Sequence, residues 1–253
     1  MKIEGGGRQA AATVLAIDAG NTRIKWGAHD GARWLFQGWV ETARAKKLKA
    51  ALAGLDAPQA IVISNVAGVA LRDQIARALP AKPAPRWIKS ARAQCGVSSS
   101  YARPAQLGCD RWAALIGARR LFGAAAVVVN AGTALTVDAL TGDGVFAGGV
   151  IVPGADLMRK ALAANTDALK LQRGGFRFFP DATGDAIMSG AINALCGAVE
   201  RMARFLEDAG QAHPLCVLSG GGAALIARHL NLEVKVVDNL VLEGLLTIAG
   251  GTR

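Results

Sequence analysis

At 253 residues the chain can form one large domain or two medium ones around a sizeable core, and 52% of its residues are hydrophobic. No stretch reaches the ~18 uninterrupted apolar residues of a membrane helix, so no membrane partner is expected. Residues 1–12 open polar and glycine-rich, as a flexible extension and not a secretory signal. The formal charge of +10 is dispersed over Arg44, Lys46, Lys47 and Lys49, over Arg119 and Arg120, and over Arg201 and Arg204. No helix-turn-helix or zinc pattern accompanies them, and aromatics are too sparse to stack bases. A solvated basic surface that attracts small polyanions is favoured over a nucleic-acid-binding face. Cys95, Cys109, Cys196 and Cys216 lack metal-ligand spacing, and His29, His213 and His229 stand away from them. Free thiols in such a chain suit a reducing, cytoplasmic setting.

Taken in order, the chain predicts strands over 13–17, 23–28 and 33–40, the last two joined by the turn His29-Asp30-Gly31. A helix is expected over 43–53, a buried strand over 60–64, a helix over 69–79 and a strand near 86–89. Pro80, Pro83 and Pro85 punctuate that last joint. Residues 91–106 read as loop, leading to a helix over 108–121. Paired strands over 127–138 and a third over 145–151 follow, then a helix over 155–164 and an irregular segment over 165–181. A long helix over 184–209 precedes a strand over 215–219, which meets Gly220-Gly221-Gly222 and a helix to about residue 230. A strand over 234–237 and a helix over 240–248 close the chain.

Two stretches in this series carry the same pattern. In Val14-Leu15-Ala16-Ile17-Asp18-Ala19-Gly20-Asn21-Thr22-Arg23-Ile24-Lys25, an apolar strand ends on a carboxylate, turns and returns as a strand. Glycine supplies positive φ in such a turn, and Asn tolerates it. Backbone amides there can cradle phosphate oxygens, and a neighbouring carboxylate can hold Mg²⁺ through water; an ordinary hairpin capped by its own Asp is the other reading. The pattern returns in Val127-Val128-Val129-Asn130-Ala131-Gly132-Thr133-Ala134-Leu135-Thr136, with Asn130 at the corner that Asp18 holds in the first copy. Repetition points to two similar α/β halves, 13–123 and 124–253, joined near Gly123–Ala125. Such paired halves resemble the acetate kinase, sugar kinase, Hsp70 and actin group, and that resemblance implies an α/β fold of two duplicated ribonuclease H-like halves with an ATP cleft between them, the architecture of the actin-like ATPases.

Four motifs in one order make the resemblance specific. They are Asp18-Ala19-Gly20-Asn21-Thr22, then Tyr101-Ala102-Arg103-Pro104-Ala105-Gln106-Leu107-Gly108-Cys109-Asp110-Arg111-Trp112, then Ala131-Gly132-Thr133-Ala134-Leu135-Thr136, then Gly148-Gly149-Val150-Ile151-Val152-Pro153-Gly154. Together they closely resemble type III pantothenate kinase, over nearly the whole chain. Some members of that family are described as Bvg accessory factors, a label tied to transcriptional regulation. The resemblance implies transfer of the ATP γ-phosphoryl to the primary hydroxyl of pantothenate in a cytoplasmic homodimer, the first step towards coenzyme A. A regulatory protein that kept the kinase fold, or a kinase of another small hydroxy acid, are the alternatives.

Carried over residue by residue, the resemblance implies Asp110 as proton acceptor, in a reaction that needs mainly positioning and charge stabilisation. Its other reading is a helix-start carboxylate favoured by the dipole. Arg111 would fork the pantothenate carboxylate, or else form a structural salt bridge. Tyr101 and Gly108 would line the pantothenate site, and Thr183 would reach it across the dimer interface or cap the helix it begins. Asp18, Gly20, Asn21, Thr22 and Lys25 would surround ATP and Mg²⁺ at the first turn, and Gly132 and Thr133 at the second. Gly220-Gly221-Gly222 either lets the adenosine end of the nucleotide approach or forms a plain tight turn. Where much of the family has an aspartate that looks like a ligand for K⁺ or NH₄⁺, this chain has Asn130, which keeps a carbonyl oxygen and loses the charge. That departure puts the monovalent cation in doubt.

Overall fold

The computed structural model describes residues 13–167, 169 and 171–250. The extension expected over 1–12 lies outside the described residues. Those described divide between Ile88 and Lys89 into two compact units.

The first unit opens with β1 (Val14–Ala19), β2 (Arg23–His29) and β3 (Trp34–Glu41). A 3-10 stretch (Thr42–Lys47) runs into the single-turn helix α1 (Leu48–Ala51), followed by β4 (Ala60–Asn65), α2 (Val69–Ala78) and β5 (Arg86–Trp87). They build a 5-stranded sheet in the order β3-β2-β1-β4-β5. β1 is antiparallel to β2 and parallel to β4, so its Leu15, Ile17 and Ala19 are central and enter one buried cluster with Ile24, Ile61, Ile63, Leu71 and Ile75. In α2, Leu71 and Ile75 lie four residues apart and so on one face, which is the face the helix buries.

In the second unit a small hairpin, β6 (Ala93–Gln94) and β7 (Val97–Ser99), precedes α3 (Cys109–Phe122). Then come β8 (Ala126–Ala131), β9 (Ala134–Leu140), β10 (Val145–Pro153), α4 (Ala155–Asn165) and the long α5 (Thr183–Asp208). β11 (Leu215–Ser219), α6 (Ala223–Ile226), β12 (Val234–Val236) and α7 (Leu240–Gly250) complete it. Its 7-stranded sheet runs β12-β11-β8-β9-β10-β7-β6. Without the appended hairpin, this is the order of the first sheet with the same parallel and antiparallel neighbours. The duplication read from two turns therefore extends to whole sheets.

Helix α3 is buried from Arg111 to Ala118, on every side, because α7 crosses it at backbone distance. A Cβ on Gly117 would sit 2.6 Å from the Leu240 carbonyl, and one on Gly244 would strike the Ala113 carbonyl. This packing draws α3 into the second compact unit, which begins at Lys89. Gly123, in the left-handed region at φ 61°, ends α3.

Two local expectations change. The helix expected over 43–53 is mostly 3-10, broken at Arg44 (φ −115°, ψ 30°). Arg44, Lys46, Lys47 and Lys49 crowd its length, and only Ala45 and Leu48 are buried to hold it. The loop expected over 91–106 contains the β6–β7 hairpin, whose turn holds Cys95 and Gly96 both at positive φ. That is the geometry that lets a two-residue loop follow strand twist, here without the Asn-Gly signature that reveals it in sequence. Among the described residues, no helix is long and apolar enough to cross a membrane.

Candidate active site

The two phosphate-type turns have matching backbone frames. In the first unit, Gly20 N–H donates to the Arg23 carbonyl (3.0 Å), Thr42 N–H to Thr22 (2.9 Å) and Val66 N–H to Ala19 (3.1 Å). In the second, Gly132 N–H donates to Ala134 (3.0 Å), Gly154 N–H to Thr133 (2.8 Å) and Gly222 N–H to Ala131 (2.8 Å). Asn21, Thr22, Gly132 and Thr133 are exposed at the tips. Neither Gly20 nor Asn21 adopts positive φ, so the expected conformational reason for that glycine does not hold. Space is the reason, since a Cβ on Gly20 would meet the Arg23 carbonyl at 3.3 Å.

The corner residues are equivalent as well. Asp18 is half-buried at the end of β1, paired with Lys25 on β2 and Ser64 on β4. Asn130 is half-buried near the end of β8, paired with Thr136 on β9 and Ser219 on β11. Beside it, Gly220 takes φ +98°, and a Cβ there would strike the Ala131 carbonyl and lie 2.6 Å from Asn130 Oδ1. Gly220 is therefore glycine because its turn presses on the Asn130–Ala131 corner. Among the described residues no group of three or more His, Cys, Asp or Glu could cage a metal ion. Asp18 offers hard carboxylate oxygens, which suit a Mg²⁺ ion that keeps most of its waters and phosphate ligands.

A second cluster forms around the start of α3. Ser90 Oγ donates to the Leu107 carbonyl (2.8 Å) and holds the chain entering the helix. Asp110, in the first turn, accepts the Arg111 N–H on Oδ1 (2.8 Å). A Cβ on Gly108 would come 2.5 Å from that same oxygen, so a side chain there would displace the carboxylate. Burial raises the Asp110 pKa above its ordinary 3.8, against the lowering effect of the Arg111 N–H and charge. Arg111 is 7% exposed and points at Asp138 on β9, which is 1% exposed. Its Nε lies 3.1 Å from both Asp138 oxygens, and Nη2 donates to Oδ1. Burial alone would lower Arg111, and the bonds and charge of Asp138, joined by those of Tyr101, outweigh it and raise it. Burial raises Asp138, with Arg111 opposing.

The salt-bridge reading of Arg111 is thus realised within the chain, and Asp138 is the member of the cluster that the sequence did not reveal. Its signal is weak: a lone acid in Leu135–Leu140, on the strand face it shares with Thr136 and Leu140 and opposite the core-forming Leu135, Val137 and Ala139. Tyr101 packs on Phe146 with ring centroids 5.0 Å apart, and Phe146 carries the Arg111 guanidinium 6.0 Å from its centre. Exposed Arg92 fastens this segment, donating from Nη1 to the carbonyls of Ser99 (3.0 Å) and Tyr101 (2.9 Å) and from Nη2 to Ala102 (3.2 Å).

A sequence profile described as Type III pantothenate kinase matches residues 14–204. The chain belongs to this family. A relative named Type III pantothenate kinase, from Nitrosospira multiformis, is 48% identical over 240 residues, spanning 94% of this chain and 92% of its own. Among solved structures, a Campylobacter jejuni protein described as a Baf family transcriptional activator aligns over 92% of this chain and 96% of its own, with TM-score 0.57 and 18% identity. MreB5 of Spiroplasma citri bound to ADP aligns over 92% and 94%, with TM-score 0.52 and 10% identity. These distant likenesses establish the actin-like ATPase fold alone. Within the family frame, Tyr101, Gly108, Asp110 and Arg111 fall together in one cluster of the second unit. Thr183 is not a helix cap: Ala182 holds that place with no side-chain bond, and Thr183 is the exposed first residue of α5.

Proposed function

We propose that this protein is an ATP-dependent pantothenate kinase that makes 4′-phosphopantothenate in the first step of coenzyme A biosynthesis in the cytoplasm. The observation that carries the reading is the single cluster of Asp110, Arg111, Tyr101 and Gly108 in a chain that belongs to the type III family. Asp110 takes the proton of the pantothenate hydroxyl, and burial, which raises its pKa, makes it a better base than an ordinary aspartate. Arg111 and Tyr101 bind and orient the acid. Each turn by itself suits phosphate oxygens of ATP: the exposed amides at Asn21 and Thr22 in the first unit, with Lys25 beside them, and those at Gly132 and Thr133 in the second. Asp18 would hold Mg²⁺ through water, and the ion would supply charge neutralisation on the phosphates. The test is ADP release with Mg·ATP, with and without pantothenate, alongside detection of the phosphorylated product. ATP turnover independent of pantothenate, or none at all, contradicts the reading.

We also infer a homodimer. In α4 no residue is buried, and Leu157 and Leu162 are exposed on it, as are Val150 and Ile151 on β10. Phe178 and Phe179 are 86% and 95% exposed, in a segment fastened to the start of α5. There Gly175 N–H donates to Asp185 Oδ1 (2.8 Å) and Arg177 N–H to Ser189 Oγ (2.9 Å). Apolar surface held rigidly in water suits a second copy, which would bring Thr183 to the pantothenate site. Phe178→Ser with Phe179→Ser is expected to shift the protein from dimer to monomer in sedimentation, with loss of pantothenate turnover. An unchanged dimer places the interface elsewhere.

A further inference from the structure

Arg111 and Asp138 form a buried, hydrogen-bonded ion pair. Its members come from different elements, the first turn of α3 and the middle of β9, and both are almost wholly removed from solvent. A buried ion pair of this kind is often no more stable than a well-packed apolar replacement, so its presence calls for another role. Space for it has been kept across the sheet. Gly149 on β10 pairs with Asp138 on β9, and a Cβ at Gly149 would strike Asp138 Oδ1 and lie 2.7 Å from Arg111 Nη2. Arg111 bonds Asp138 through Nε and Nη2, and Nη1 makes no bond to Asp138. One edge of the guanidinium is therefore fixed by the chain itself, and the plane of the group is set.

We propose that Asp138 is a positioning residue that sets the Arg111 guanidinium for the carboxylate of the acceptor, so that discrimination of an acid from a neutral analogue depends on the Arg111–Asp138 pair. This rests on the reading of the protein as a pantothenate kinase. Two carboxylates then share one guanidinium, a permanent one on the Asp138 edge and the substrate's on the side that Asp138 leaves. A guanidinium is a planar fork, and its value to a carboxylate depends on orientation as much as on charge. Asp138 supplies that orientation before substrate arrives, and Gly149 leaves the room in which it is held.

The test compares pantothenate with its alcohol analogue, in which CH₂OH replaces the carboxylate, for wild type, Asp138→Asn and Gly149→Ala. Circular dichroism and thermal melts establish folding for each. In Asp138→Asn, kcat/KM for pantothenate is expected to fall about tenfold or more, mainly through KM, while the alcohol changes by less than about threefold. The ratio of the two substrates collapses, which loss of fold alone would not produce. Should Asp138→Asn not fold, Gly149→Ala carries the comparison: its Cβ would press on Asp138 Oδ1, Arg111 Nη2 and the Val137 carbonyl, so it displaces the pair together with the β9 backbone and removes no charge. Parallel losses for both substrates, or an unchanged ratio, overturn the proposal. Absence of pantothenate turnover in wild type removes the kinase reading, and this inference with it, before any variant is compared.

Discussion

Replacing Asp110 by Asn is expected to reduce phosphoryl transfer to pantothenate by ~10²–10⁴-fold, the range for removing a positioned general base. Asn keeps an oxygen for the Arg111 N–H, so the start of α3 should be undisturbed. The same substitution should raise thermal stability at neutral pH. The sign follows from burial, which lifts the folded-state pKa of Asp110 above the ordinary 3.8. A group whose folded pKa is raised contributes stability below its unfolded pKa, and that contribution is lost as pH rises through the folded value. At neutral pH the wild type holds a desolvated carboxylate that the variant lacks. Below the ordinary 3.8, where the carboxyl is protonated in both the folded and the unfolded chain, the two melting temperatures should converge. If the variant is instead less stable at neutral pH, Asp110 is a helix-start carboxylate favoured by the dipole, the other reading of this residue. The acid limb of kcat/KM provides a separate check: its midpoint should lie above the ordinary aspartate range, and should vanish from the residual rate of the Asn variant.

The second large effect concerns the two corners. Asp18 and Asn130 are equivalent by register, by turn hydrogen bonding and by sheet order, yet only Asp18 carries a charge. Asp18→Asn is therefore expected to lower kcat/KM for Mg·ATP by about 10–100-fold, the cost of losing a group that orients a metal's ligands. The complementary Asn130→Asp is expected to gain little activity with Mg·ATP. We propose that the neutral amide also makes wild-type turnover nearly indifferent to replacing K⁺ with Na⁺, and that Asn130→Asp introduces a preference for K⁺. A strong K⁺ requirement in the wild type would show that a carbonyl oxygen at residue 130 is sufficient for the cation. Titration of Mg²⁺ in both buffers separates the divalent from the monovalent effect.

Local chemistry was enough for several features. The strands that flank both turns were legible because apolar runs of four or five residues end on a polar corner and a glycine, a pattern contained in neighbouring residues. Helix α2 showed itself through Leu71 and Ile75 on one face, and α5 through its length. The order of the four motifs carried the family, which the profile match over residues 14–204 then established. Sequence by itself thus determined the duplicated α/β architecture, the family and the grouping of Tyr101, Gly108, Asp110 and Arg111.

Other features were decided only by packing between distant segments. The division at Ile88/Lys89 follows from Gly117 and Gly244, which let α3 and α7 approach at backbone distance across more than half the length of the second unit. The 3-10 character of residues 42–47 reflects a lack of neighbours to bury, not a lack of helix formers. The glycine at 220 was ambiguous until β8 was beside it, with Ala131 and Asn130 in the space a side chain would need. Arg111 could be read as a substrate fork or a structural cation, and residue types alone could not choose, because its partner lies 27 positions away on β9. Asp138 looked like one more residue in a strand. Burial changes that: a carboxylate that is 1% exposed must meet a cation or be neutralised, and the fold brings Arg111 to it.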